Sequence, residues 1–461
     1  MDWLLALQTL PDGFQDAAEC LAALDSGFVS GFARLDASHE AALASVNRIF
    51  RGTPLQDALE SSVSALLRNE FLERHFAVFA AARAALRGAC YDALLRQCAD
   101  ALGRPQPPSA PPVAPESPSP AVWLESARQW LMELALTGFA KLDTGAILPF
   151  LRTLEQIQAE PQLLRLSAIL TGFIDELLNF VPVADAAAVP VTRWTDLWTQ
   201  AMIAALAAPP SPSPSPVSGT LALLGMDIHR HAHLISLTAH GVLTLDGQTQ
   251  SVRATLSSYK VDAIIGNETW LLFPDAAALF EGLAKNQPLD ITDMPLLPTG
   301  DLIWNGQAAL GKKFDVMKQA EDWFAPGAQN APSGMPFPSA DRHPAQLAEP
   351  IFLKDYAVKE EKGEISLDFG AAGQLPVALQ RLSDFSDITP KEIAASAQMV
   401  GLLRFDRQRW EIQPLGVLSQ AGKKTSLVVS GEGAAAVMKK PPKTSTIAIL
   451  KERSSRLLRG Q

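Results

Sequence analysis

The chain has 461 residues, 48% of them hydrophobic and 19% charged, and its formal net charge is −10. That length exceeds one ordinary hydrophobic core and predicts two or three domains, while the composition excludes a disordered chain. The negative charge argues against a general nucleic-acid binder, because such proteins usually carry a basic surface.

Cysteine usage and the apolar runs indicate the compartment. The three cysteines, Cys20, Cys90 and Cys98, form no CxxC pair, and the first residues, MDWLLALQTLPDGF, do not resemble a signal peptide. No apolar stretch approaches the roughly 18–20 residues that span a bilayer. We therefore expect a water-soluble protein of the reducing cytoplasm, without membrane contact.

The first half of the chain predicts helices. Between 57 and 102, apolar residues recur every three or four positions, which predicts one long helix or a helical hairpin broken at Gly88. This helical unit is either a docking module for a partner or a plain bundle. After a proline-rich stretch come further helices. Gly138 interrupts the first, and Thr192 is a candidate N-cap of the last. Trp194 and Trp198 share one helical face, which favours an anchor in the core.

The second half predicts strands. Polar and apolar residues alternate from Leu234 to Val242, and Leu-Asp-Gly at 245–247 marks a tight turn, which indicates an antiparallel meander. Similar patterns predict two more hairpins, turning at 361–363 and at 406–408. Further predicted elements are helices over 275–286 and 374–398, and a strand over 444–452.

The predicted fold class is multi-domain α + β, with N-terminal helical bundles followed by a β-rich, mainly antiparallel C-terminal region that has a few helices. From Lys423 onwards there are nine basic and two acidic residues, which is typical of an interaction tail or of a solvated end. The predicted organisation is a helical domain (1–103), a Pro-rich linker (104–121), a helical domain (122–208), a Pro/Ser linker (209–217), a β-rich domain (218–325), a loop (326–349) and an α+β domain with a basic tail (350–461).

Four of the seven histidines lie between 229 and 240. On a strand, His229, His231 and His233 would share one face with Asp227, and neighbours two apart would be roughly 6.5–7 Å apart. Two of them could bind one zinc or iron ion, but a third ligand would have to come from elsewhere. Candidates for that ligand are His240, Asp262 and Glu268. The alternatives are histidines on the polar face of a strand, or a pH-sensitive surface.

No other motif in the sequence supports a catalytic assignment. Tyr259 and Lys260 superficially resemble a Tyr/Lys catalytic pair, but adjacent strand residues point to opposite faces. The sequence contains no P-loop, no GxGxxG after a strand, no GxSxG elbow and no zinc-spaced cysteines. We identify no catalytic residue.

Two sets of segments carry a family resemblance. PAVWLESARQWLMELALTGFAKLD (120–143) resembles the helical segment after the zinc-binding motif of bacterial SWIM zinc-finger proteins. VTRWTDLWTQAM, VSGTLALLGMDIHRHAHLISLTAHGVL, LSSYKVDAIIG, MPLLPTGDLIWNG and LLRFDRQRWEIQPLGVL resemble an uncharacterised bacterial family. That family is associated with genes for a MoxR-type AAA+ ATPase, a von Willebrand factor A-domain protein and a SWIM protein. The resemblance covers 120–420, and the zinc-binding cysteines of SWIM proteins are absent. It implies a partner or adaptor in an ATPase-driven system.

Three hypotheses follow for function. The leading one is a non-enzymatic scaffold or adaptor that binds protein partners, such as the ATPase or the A-domain protein. The second is a metal-dependent enzyme that uses the strand with His229, His231 and His233 to bind zinc or iron. The third is a nucleic-acid-associated module with OB-like β barrels and a basic tail that tracks phosphates.

Overall fold

The computed structural model describes residues 2–105, 121–206, 213–231, 233–261, 263–313, 315–335, 347–421, 424–441 and 446–447. Across these ranges, helices predominate up to residue 206 and mainly antiparallel strands follow, which confirms the predicted fold class. No helix in the described ranges is both long and apolar enough to cross a membrane.

Ten α-helices precede residue 206 in the described chain: α1 (Asp2–Gln8), α2 (Phe14–Ser30), α3 (Ala37–Ile49), α4 (Gln56–Leu67), α5 (Glu73–Leu102), α6 (Ala121–Thr137), α7 (Thr144–Ile147), α8 (Leu151–Gln158), α9 (Leu164–Leu178) and α10 (Val191–Ala204). The predicted break at Gly88 is wrong, because Gly88 lies inside α5. The chain reverses at Asn69 instead, whose positive φ of 59° is typical of a residue that ends a helix. The N-cap prediction for Thr192 is also wrong, since α10 begins at Val191, after Pro190.

Two glycines allow the N-terminal helices to meet the second helical segment. Gly31 and Gly138 have positive φ values of 85° and 90°, and a Cβ at Gly138 would lie 2.5 Å from the carbonyl carbon of Ser30. A hydrogen bond joins the two backbone segments at this contact, since the backbone N–H of Phe32 donates to the carbonyl of Ala135 at 3.0 Å. Only glycine fits so close a backbone contact.

The tryptophan pair anchors the helical core, as predicted. Trp194 and Trp198 are fully buried, and the indole N–H of Trp198 donates to the carbonyl of Leu131 at 2.8 Å. Phe28 and Phe139 pack against these rings. Aromatic side chains of this size supply much of the apolar area that a helical core buries.

The first part of the β region contains β1 (Ser215–Arg230), β2 (Leu234–Leu245), β3 (Gln248–Tyr259), α11 (Ala277–Lys285), β4 (Leu289–Leu296), β5 (Asp301–Leu302), β6 (Ala308–Leu310) and α12 (Val316–Phe324). The predicted meander and its turn are confirmed, with Asp246 and Gly247 at φ values of 48° and 81°. The predicted helix over 275–286 is confirmed by α11.

These strands close into a barrel. Strand β1 pairs antiparallel with both β2 and β4, β3 pairs parallel with β5, and β5 pairs antiparallel with β4. The order around the first barrel is therefore β1-β2-β3-β5-β4-β1, with α11 between the third and fourth strands. Its interior holds side chains such as Leu237, Leu243 and Ile291.

The second part contains β7 (Glu349–Lys354), β8 (Ala357–Glu361), β9 (Glu364–Asp368), β10 (Gln374–Pro376), α13 (Pro390–Ala394), β11 (Ser396–Asp406), β12 (Arg409–Ala421), β13 (Lys424–Val429) and α14 (Ala434–Lys439). Both predicted hairpin turns are confirmed, at Lys362–Gly363 and at Arg407–Gln408. The helix predicted over 374–398 is mostly wrong, because the segment holds β10 and only the five-residue α13. Prolines at 376 and 390 prevent a longer helix.

The second barrel repeats the order of the first. Strands β7 and β8 follow each other directly with a bend at Asp355, whose φ is 58°; β7 pairs with β11 and β8 with β9. A parallel bridge from Val377 to Ile412 joins the end of β10 to β12. Counting β7–β8 as one bent strand and the bridge as a pairing, both barrels have the strand order first-second-third-fifth-fourth.

Only part of the predicted C-terminal strand and of the basic tail lies within the described residues. Thr446 and Ile447 are helical rather than extended, and the other residues of the strand predicted over 444–452 lie outside the described residues. Of the basic tail, 424–441 form β13, a turn and α14, which pack on the first barrel.

The helices and the second barrel share one hydrophobic core. The ring of Trp3 meets that of Phe369 edge-on at 5.7 Å, and Phe14 meets Phe405 edge-on at 5.3 Å. The interior of the first barrel forms a separate cluster. The domain boundaries remain predictions.

Candidate functional site

The histidine run straddles the end of a strand. Strand β1 ends at Arg230, and the chain then reverses: the N–H of His231 donates to the carbonyl of Leu234 at 2.8 Å, and His233 accepts from the N–H of Lys260 at 2.9 Å. The prediction that three histidines alternate on one strand is therefore wrong, because His231 and His233 lie in the connection to β2. Both are exposed.

Asp227 and His229 do share a face, as predicted. Nε2 of His229 lies 3.0 Å from Oδ2 of Asp227, and this carboxylate also accepts from Arg404 and from the amide of Gln413, both at 2.7 Å. Burial raises the pKa of Asp227, but the His229 hydrogen bond and the Arg404 charge outweigh it and hold the pKa well below its usual range. Asp227 is thus a charged link between the barrels.

A glycine bulge makes this link possible. The pairing of β1 with β2 shifts register at Gly225, whose φ is 146°. A Cβ at Gly225 would lie 2.4 Å from the carbonyl oxygen of Leu415 in β12. The bulge therefore lets the backbones of the two barrels touch beside Asp227.

The additional metal-ligand candidates do not converge on the histidines. His240 is buried on β2, and burial is the main cause that lowers its pKa to about 3, so it is neutral at physiological pH. Glu268 accepts the N–H of Thr446 at 2.9 Å, and Asp262 lies outside the described residues. Within the described ranges no three His, Cys, Asp or Glu residues are placed to hold one ion. Zinc or iron binding by His229, His231 and His233 stays a prediction.

A groove of about 750 Å³ lies between the helices and the second barrel. One wall comes from α2, α5 and α10, and the other from the tip of the β11–β12 hairpin; we call this site the groove. Its apolar lining residues are Phe14, Ala18, Leu21, Ala22, Cys90, Leu94, Leu197, Leu347 and Phe405. Its polar lining residues are Asp25, Arg87, Thr192, Arg193, Asp196, Gln200, Asp406, Arg407 and Gln408.

A buried arginine fixes the helical wall of the groove. Arg83 on α5 is fully buried and donates two hydrogen bonds to Asp25, at 2.6 and 2.8 Å, and one to Asp196, at 2.7 Å. It also donates to the hydroxyl of Thr195 at 2.9 Å. Arg87, one turn further, donates to both carboxylate oxygens of Asp196 at 3.2 Å. Three helices are thus held in one arrangement by charge-assisted hydrogen bonds.

The groove is suited to binding. The carboxylates of Asp25 and Asp196 are engaged inside the wall, so they are not positioned as free bases. Burial raises the pKa of the Cys90 thiol, which keeps this side chain protonated at neutral pH and unreactive as a nucleophile. Ligand sites combine apolar surface with polar groups in fixed positions, and this groove has both.

Sequence reasoning missed the groove because its walls come from separate stretches of the chain. Residues of α2, α5 and α10 meet Leu347 and the turn after β11 only in the folded structure. The one signal in the sequence was the β11–β12 turn, whose position was predicted but not its neighbours.

Comparisons with known protein families, with curated proteins and with solved structures find no match for this chain.

Proposed function

We propose that the chain is a non-enzymatic, cytoplasmic scaffold or adaptor that binds a segment of a protein partner in the groove. The observation that carries this proposal is the groove itself, with walls contributed by the helices and by the second barrel. Its lining includes two phenylalanines and three arginines, which are residue types enriched at protein interfaces. The shared hydrophobic core and the Arg83 ion pairs support a pre-formed site, which lowers the cost of binding.

The proposed partner is the MoxR-type AAA+ ATPase or the von Willebrand factor A-domain protein. Only the sequence resemblance supports this choice.

The test is direct binding between purified proteins from one host. Isothermal titration would compare the wild-type chain with Leu197→Glu, which places a charge on the apolar lining of the groove. Leu164→Glu is the matched control, because Leu164 is also on a helix but is 59% exposed and not part of the groove. We expect binding to be lost in the first variant and kept in the second. If neither purified partner binds the wild-type chain, the proposal fails.

The two barrels favour a second candidate function, the binding of single-stranded nucleic acid. OB-type barrels bind oligonucleotides across their second and third strands and adjoining loops. On the first barrel that face carries Thr238, Thr255 and, 78% exposed, Tyr259, on which a base could stack. The arginine of these two strands, Arg253, is paired with Asp301, so the face offers little net positive charge.

An anisotropy titration with a labelled oligothymidylate of about 12 nucleotides tests this second candidate. Binding that weakens steeply with salt and with Tyr259→Ala would support it. An absence of binding at low salt would exclude it.

A further inference from the structure

We infer that the segment that binds in the groove is acidic and apolar, with at least one carboxylate placed against Arg407. This inference rests on the proposed function, because it names the chemistry of the partner segment. It is carried by three observations: the local charge, the apolar lining and the backbone of the hairpin tip.

The charges around the groove leave an excess of arginine. Five arginines and four carboxylates line the groove or pair with its walls: Arg83, Arg87, Arg193, Arg381 and Arg407 with Asp25, Glu176, Asp196 and Asp406. The lining alone holds three arginines and three aspartates, and when the ion-pair partners are included one arginine is left in excess, within a chain whose formal net charge is −10. A negatively charged segment is complementary to the groove, whereas a basic one would meet only carboxylates that already have partners.

The excess charge lies at the hairpin tip. Arg407 makes no side-chain hydrogen bond or ion pair with any described residue, whereas Arg193 pairs with Glu176 at 2.6 Å. On the opposite wall, Nε of Arg87 is buried and has no hydrogen-bond partner among the described residues. Because that Nε atom is enclosed, a bound carboxylate would receive its donors from Arg407.

The backbone of the tip indicates that these side chains have a role. Arg407 and Gln408 adopt φ values of 49° and 60°, which L-residues with long side chains rarely adopt. Two-residue hairpin turns of this type are normally made with asparagine, aspartate or glycine. Strained backbone of this kind tends to occur where the side chains bind or react. In the β11–β12 turn this backbone holds Arg407 and Gln408 in the lining of the groove, whereas Lys362, with a similar φ, is not part of that lining.

The apolar lining determines the rest of the segment. Phe14 and Phe405, which meet edge-on, both line the groove, and Leu197 lines the helical wall. A segment with leucine or phenylalanine beside its acidic residues would bury both features at once.

Selection of a displayed library of random peptides, each about 12 residues long, on the full-length chain tests the inference. We expect enriched sequences that combine Asp or Glu with Leu or Phe. A selected peptide, labelled and titrated, should bind about tenfold more weakly to Arg407→Glu. Lys362→Glu is the matched control, because Lys362 has the same left-handed conformation, with φ of 53°, at the tip of the other hairpin of this barrel.

Enrichment of basic or uncharged sequences, no enrichment at all, or equal binding to Arg407→Glu and the wild type would overturn the inference. The two proposals fail separately. If the Leu197→Glu variant no longer binds the protein partner but the Arg407→Glu variant binds it with full affinity, the groove is the binding site and the segment is not acidic. If the wild-type chain binds neither purified partner, the function proposed above is wrong.

Discussion

At the scale of single residues, the structure depends on charged groups that are buried together. Arg83 is enclosed by two aspartates from different helices, and Asp227 by an arginine and a glutamine from the second barrel. Removing one partner of such a group leaves the other buried and uncompensated, which costs more than the intact pair contributes.

Arg83→Met should therefore lower the free energy of unfolding by about 3–5 kcal/mol, because Asp25 would stay buried without a counter-charge, although Asp196 would keep Arg87. Urea denaturation measures this. The control is Arg68→Met, which removes an exposed ion pair with Glu70 and should change stability by no more than about 0.5 kcal/mol. Equal effects of the two substitutions would show that the buried network does not hold the helices.

The buried His240 should make the free energy of unfolding decrease as the pH falls. Its pKa is lowered to about 3 in the folded chain, whereas the unfolded value is about 6.5. As the pH falls, the unfolded chain therefore binds a proton at His240 before the folded chain does. The contribution of the neutral His240 to the free energy of unfolding is complete above pH 6.5 and is lost as the pH falls towards 3. Between these limits, His240 should lower the free energy of unfolding by about 1.4 kcal/mol for each unit by which the pH falls.

The slope of unfolding free energy against pH, measured from pH 6 to pH 4.5, should be smaller for His240→Gln than for the wild type. The exposed His233 provides the matched substitution, and His233→Gln should keep the wild-type slope. If the slope of His240→Gln equals that of the wild type, His240 is not buried as a neutral group.

The histidine run was the clearest chemical signal in the sequence, and it was only partly interpretable. Alternation correctly placed Asp227 and His229 on one face, since both lie inside β1. It could not locate the reversal that takes His231 and His233 off the strand. The partners of Asp227 are 177 and 186 residues away in sequence, so no local pattern could have identified them.

Elemental analysis by plasma mass spectrometry, before and after a chelator, tests what remains of the metal prediction. The scaffold proposal expects no stoichiometric transition metal and no change in stability on chelation. One zinc or iron ion per chain, lost in His229→Ala plus His231→Ala, would instead favour the metal-dependent enzyme.

At the scale of elements, local chemistry predicted turns better than helix breaks. The turns after β2 and β8 contain glycine, whereas the turn after β11 is made by Arg407 and Gln408, and all three were predicted. The break between α4 and α5 was misplaced because a glycine inside a long, well-packed helix costs only about 1 kcal/mol relative to alanine. The apolar spacing over 374–398 suggested a helix, but prolines at 376 and 390 restrict this segment to β10 and the short α13.

The β11–β12 turn allows an element-scale test. Gln408→Gly should stabilise the chain by about 0.5–1 kcal/mol, because glycine adopts the left-handed conformation without steric cost. Thermal denaturation measures this. Ser386→Gly, in an ordinary loop conformation, should be neutral or destabilising. A loss of stability in Gln408→Gly would mean that the turn is not strained.

At the scale of the whole molecule, two barrels with one strand order and a helical region are fused through shared core and buried charge. The class of fold could be predicted because periodicity changes from helical to alternating near residue 215. The barrel closures could not be predicted, since they depend on pairings between distant strands such as β1 with β4 and β10 with β12. The groove depends on the same long-range assembly.

Hydrogen–deuterium exchange of the chain, alone and with a purified MoxR-type ATPase or A-domain partner, tests the central claim most directly. The scaffold proposal predicts slower exchange in the complex around residues 192–200 and 405–408, on the two walls of the groove. A stable complex with unchanged exchange in both segments, or no complex with either partner, would contradict it.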